Sequence, residues 1–125
     1  MLADARVVAV LPVVDLDRAR SFYEEKLGLK AASGPDGLMF ECGQGTILAL
    51  YEHGSPNRAG HTQAGWEVDN IEEAVQGLAA RGVVFEQYDL PGLKTDERGI
   101  ARAGAGKGAW FKDTEGNILS VFQFD

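Results

Sequence analysis

Twice along the chain, a run of apolar residues with strand character gives way to apolar residues spaced three and four apart and then returns to short strand-like runs. These are the side-chain periods of strand and helix. Residues 7–13 form a nearly continuous β-branched apolar run that reaches Pro12, a residue strands tolerate only near an edge or an end. Asp15 then has the position of a helix cap, with Leu16, Ala19, Phe22, Tyr23 and Leu27 on one helical face and Gly28 as the left-handed stop. Strands follow over residues 29–33, 38–42 and 46–51, separated by Gly34-Pro35-Asp36-Gly37 and Gly43-Gln44-Gly45 turns. The polar, turn-rich residues 53–61 read as a connector.

The pattern then restarts. Residues 62–68 predict a strand, and Asn70 with Glu73 has the form of a capping box. Ile71, Ala74, Val75 and Leu78 line a helix that ends at Gly82. Strands are expected over 83–88, 109–112 and 118–124, with a long loop over 89–106 and a tight turn over 113–117. The wording repeats as well: Val13-Val14-Asp15-Leu16-Asp17-Arg18-Ala19 is echoed 55 positions later by Val68-Asp69-Asn70-Ile71-Glu72-Glu73-Ala74. Gly45-Thr46-Ile47-Leu48-Ala49-Leu50 is echoed 71 positions later by Gly116-Asn117-Ile118-Leu119-Ser120-Val121, so the second copy carries 16 extra residues. The expectation is an α+β fold over residues 1–125 as one domain: a βαβββ module over 5–52, the connector, and a second βαβββ module over 62–125.

Composition narrows the function. Nineteen acidic against twelve basic residues give a net charge of −7, which opposes phosphate backbones and leaves no basic stripe for nucleic acid. Apolar runs are too short to span a membrane, and the first residues show no leader pattern, so a cytoplasmic location is expected. The single Cys42 can form neither a disulfide framework nor a thiolate metal cluster within the chain.

Two phrases carry a family likeness. Val13-Val14-Asp15-Leu16-Asp17-Arg18-Ala19-Arg20-Ser21-Phe22-Tyr23 followed by Leu27-Gly28-Leu29, and Phe111-Lys112-Asp113-Thr114-Glu115-Gly116-Asn117, each resemble wording of the vicinal oxygen chelate superfamily, which includes glyoxalase I, extradiol dioxygenases, fosfomycin-resistance enzymes and bleomycin-resistance proteins. The resemblance covers the whole chain. It implies curled mixed sheets forming a cleft with helices outside, and a homodimer. It also implies four strand positions at which the enzymes of the superfamily hold a divalent metal, and here these fall on Val8, Ala49, Gln63 and Ser120. Valine and alanine have no donor atoms, and one amide and one hydroxyl do not make a divalent-metal site. A site rebuilt from His61, Gln63 and Glu67 would spread its donors over roughly 13 Å of one strand. No metal and no other cofactor is therefore expected.

What remains is a cleft. Alternation from the four positions sends Tyr51, Gln63, Glu67, Ser120 and Phe122 to the cleft face, with Trp110 preferred over Phe111, while Leu48, Leu50, Trp66, Val68, Leu119 and Val121 turn toward the helices. An apolar, aromatic lining with a few polar groups is the composition of an organic-ligand pocket. The expected function is metal-free binding or sequestration of a small organic or antibiotic-like molecule, as in the bleomycin-resistance branch. The alternative is an atypical lyase, isomerase or dioxygenase of the superfamily with Glu67 or a loop residue as general base.

Overall fold

The computed structural model describes residues 1–32 and 39–125; the expected turn at residues 34–37 and the strand ends that flank it lie outside the described residues. Strand β1 (Ala9–Val13) leads into helix α1 (Leu16–Ser21), whose cap is Asp15, its carboxylate accepting the Arg18 N–H at 3.0 Å. The helix continues as a wide π-helical turn over Phe22–Lys26, closed by the Leu27 N–H on the Phe22 carbonyl, and the consecutive Phe22 and Tyr23 are both buried. Strands β2 (Lys30–Ala31), β3 (Met39–Glu41) and β4 (Ile47–Glu52) complete a sheet in the order β1-β4-β3-β2, with β1 and β4 parallel.

The second half builds its counterpart. Strand β5 (Thr62–Glu67) is followed by helix α2 (Ile71–Ala80), where the Asn70 side chain accepts the Glu73 N–H at 3.1 Å. A short hairpin of β6 (Asp89–Leu90) and β7 (Leu93–Lys94) comes next, then β8 (Ile100–Ala103), β9 (Gly106–Lys112) and β10 (Ile118–Phe124). The sheet order β5-β10-β9-β8 reproduces that of the first half. The correspondence holds residue by residue: Val10 pairs with Ala49 as Gly65 pairs with Ser120, and Met39 pairs with Ala49 as Trp110 pairs with Ser120.

Residues 83–88 are not the second strand of this unit. Only Phe85 is bridged, to Phe111, and the Glu86 N–H meets the Trp110 carbonyl at 2.7 Å. The reason is competition for one edge. β8 pairs with Gly106, Lys107, Gly108 and Ala109, so the incoming segment touches β9 only where β8 has left off. The 16 extra residues therefore lie ahead of β8, and the end of the expected loop is strand.

Both sheets turn one face to a single core. Leu11, Val13, Phe40, Leu48 and Leu50 from the first, and Ala109, Phe111, Leu119 and Val121 from the second, enclose Ala19, Phe22, Tyr23, Ile71 and Val75 from the helical segments. Aromatic contacts cross between the halves, with Phe22 and Phe111 ring centroids 6.4 Å apart. No helix among the described residues is long and apolar enough to cross a membrane.

Candidate functional site

Burying one face of each strand leaves the alternate residues on the other. On the second sheet these fall into two adjacent rows: Gly65, Ser120 and Trp110 lie opposite one another across β5, β10 and β9, and Glu67, Phe122 and Gly108 form the row beside them. The two glycines decide the shape. A Cβ at Gly65 would stand 2.5 Å from the Ser120 Oγ and 3.0 Å from the Phe122 ring, and one at Gly108 would stand 3.2 Å from the Trp110 indole. Phe122 and Trp110 thus lean over bare backbone, and Ser120, almost fully buried, sits between them. The result is a low aromatic cradle. Phe124 extends it, its ring centroid 5.3 Å from that of Phe122.

Glu67 stands exposed at the rim of this cradle. With Asp69, Phe122 and, on the side of the first half, Gly43, Gln44 and Thr46, it lines a cleft of about 370 Å³. Gln44 adopts a left-handed φ of 57°, which holds the tight loop that forms the opposite wall. Neither Glu67 nor Asp69 has an ion-pair partner among the described residues.

The other two residues expected in the site are placed elsewhere. Tyr51 lies on β4 of the first sheet, its ring edge-on to His53 at 6.3 Å. Gln63 occupies a bulge: Ile118 pairs with Thr62 and Leu119 with Ala64, so Gln63 is the extra residue of β5. Its amide is engaged from both sides, the Oε1 accepting from the Asn57 Nδ2 at 2.7 Å and the Nε2 donating to the His61 carbonyl at 3.0 Å. Asn57 in turn donates to the Asn117 Oδ1 at 2.8 Å. Gln63 thereby ties the connector to the turn before β10.

That turn is a second polar centre. Glu115 is fully buried, yet its carboxylate accepts the N–H groups of Val14 and Asp15, the Arg18 guanidinium and the Thr114 hydroxyl at 2.6–3.1 Å. Burial alone would raise its pKa, but these donors together hold it down to about 2. The neighbouring Asp113 accepts the Tyr23 hydroxyl at 2.6 Å and the N–H groups of Glu115 and Asn117. Burial and the Asp113 charge push the Tyr23 phenol well above its ordinary range. Every one of these groups is satisfied within the chain, so the centre holds the first half on the second and offers nothing to a ligand.

Divalent metal does not fit the four positions that the resemblance implies. Val8 and Ala49 lack donor atoms, the Gln63 oxygen is taken by Asn57, and Ser120 contributes a lone hydroxyl. Among the described residues no three His, Cys, Asp or Glu side chains converge to replace them.

The repeat points to Gly65, Ser120, Trp110 and Phe122, because strand alternation assigns their faces. Gly108 carried a weaker signal, the alternate glycines of Gly106-Lys107-Gly108. Tyr88 carried none. Its ring packs edge-on to Trp110 with centroids 5.8 Å apart, but it belongs to the segment without a counterpart in the first half.

Comparison with known proteins agrees with this architecture. The family model of the Glyoxalase/Bleomycin resistance protein/Dioxygenase superfamily matches residues 6–121. No curated protein matches the sequence. Among solved structures, a glyoxalase/dioxygenase from Nostoc punctiforme is similar with a TM-score of 0.67 at 20% identity, covering 100% of this chain and 95% of its own. An integron cassette protein from V. cholerae gives 0.65 at 22% identity with both chains fully covered (100%). The genomically encoded fosfomycin resistance protein FosX from Listeria monocytogenes gives 0.65 at 13% identity, covering 98% of this chain and 92% of its own. At such identities the likeness is one of fold. With two sheets repeated in order and in register, and a family model spanning nearly the whole chain, this protein belongs to the glyoxalase/bleomycin resistance protein/dioxygenase superfamily.

Proposed function

We propose that the protein binds a small planar organic molecule on the cradle of the second sheet, without a metal, and holds it rather than transforming it. The observation that carries this reading is the pair of glycines, Gly65 and Gly108, beneath Phe122 and Trp110. Side chains at those positions would lift the rings, whereas bare backbone gives a platform on which a flat ligand stacks. The unpaired Glu67 and Asp69 beside Phe122 favour a ligand that carries an ammonium or other cationic group.

The test is tryptophan quenching and thermal shift with a panel of polyaromatic compounds, cationic and neutral. Cationic members should bind best, and mass spectrometry should return them unchanged. Phe122→Ala and Trp110→Ala should each weaken binding about tenfold, the loss of one stacking contact and its buried area. Absence of any binding across the panel would refute the reading.

A second reading rests on the same unpaired Glu67, which is free to act as a general base for a lyase, isomerase or dioxygenase reaction. Turnover of α-ketoaldehyde–thiol adducts or catechols that is lost in Glu67→Gln, with folding intact, would establish it. A homodimer accompanies either reading, because Val10 on β1 and Tyr51 on β4 leave 56% and 43% of their surfaces exposed on the face of the first sheet turned away from the core, which leaves the cradle of the second sheet uncovered.

A further inference from the structure

The first half passes from Gly28 into β2 at Lys30, but the second takes from Gly82 to Ile100 to enter β8. This extra segment is fastened at three points. Phe85 packs edge-on to Phe111 with centroids 5.5 Å apart, and the Glu86 N–H donates to the Trp110 carbonyl. Thr95 closes the β6–β7 hairpin: its N–H donates to the Tyr88 carbonyl at 3.0 Å, and its hydroxyl accepts the Tyr88 N–H at 2.9 Å. The Asp96 carboxylate accepts the N–H groups of Arg98 and Ile100, fixing the return into β8. Tyr88 is therefore gripped on both sides in sequence, and its ring stands at 75° to the Trp110 indole.

A ring held edge-on against one flank of an otherwise open platform limits how far a stacked ligand extends. We propose that Tyr88 is the specificity-determining residue of the cradle, admitting two-ring planar ligands and turning away longer fused systems. This rests on the reading of the cradle as a stacking site.

Quinoline and acridine, planar amines of two and three rings, serve as probes by calorimetric titration of the full chain. The wild type should favour quinoline. Tyr88→Ala should shift the affinity ratio about fivefold toward acridine, the size of one aromatic contact, while Tyr88→Phe keeps the ratio within about twofold. Tyr88→Leu repeats the measurement with apolar bulk retained, for the case in which Tyr88→Ala lowers the melting temperature. A ratio unchanged in both Tyr88→Ala and Tyr88→Leu, or shifted as far by Tyr88→Phe, would overturn the assignment of Tyr88 alone, provided Trp110→Ala weakens binding of both probes about tenfold. Failure of the wild type to bind either probe, or indifference of both affinities to Trp110→Ala, would overturn the cradle itself and Tyr88 with it.

Discussion

Glu115 keeps its charge in the core because five hydrogen bonds converge on it, from two backbone N–H groups, both ends of the Arg18 fork and the Thr114 hydroxyl. Its folded pKa of about 2 lies below the ordinary 4.5, so its contribution to stability is present above pH 4.5 and is lost as the pH falls toward 2. Urea unfolding should show that loss across this window in the wild type. Glu115→Gln should be less stable at neutral pH by about 2–4 kcal/mol and should lack the corresponding pH dependence. Gln63 carries the opposite lesson. Its position in the repeat marks it as a site residue, but the bulge in β5 turns its amide onto Asn57 and His61, and sequence spacing does not register a one-residue bulge.

At the scale of elements, helix α2 offers two direct tests. Asn70→Ala removes the acceptor for the Glu73 N–H and should cost about 1 kcal/mol. Gly77 lies inside the helix, and a Cβ there would meet nothing within 4 Å, so Gly77→Ala should stabilise the protein by about 0.5–1 kcal/mol and raise the melting temperature by a few degrees. Neither change touches the cradle, so ligand affinity should stay as in the wild type. The strands show where local pattern stops being sufficient. β4 and β10 were legible because Leu48, Leu50, Leu119 and Val121 alternate with residues of the other face. Residues 83–88 have equally good strand composition, but β8 already holds the edge of β9 that they would need.

At the scale of the molecule, the two sheets share one core and leave their other faces open. The proposed association of two copies across the outer face of the first sheet predicts sedimentation at twice the chain mass, and Val10→Glu, which introduces a charge at a half-exposed apolar position, should return the monomer without lowering the cooperativity of unfolding. The sequence by itself determined the duplicated βαβββ plan, the helix caps at Asp15 and Asn70, the faces of β4 and β10, and the absence of donor atoms at Val8 and Ala49. All of these follow from local period, local hydrogen bonding or residue chemistry. Only the tertiary structure decided that Glu115, and Asn117 through its Nδ2 donating to the Pro12 carbonyl at 2.9 Å, lock the two halves together, that Gln63 serves the connector, and that Tyr88 reaches Trp110 from an unrepeated segment. Those contacts join residues far apart in the chain, and which of them form depends on strand edges, bulges and buried charges that compete in three dimensions.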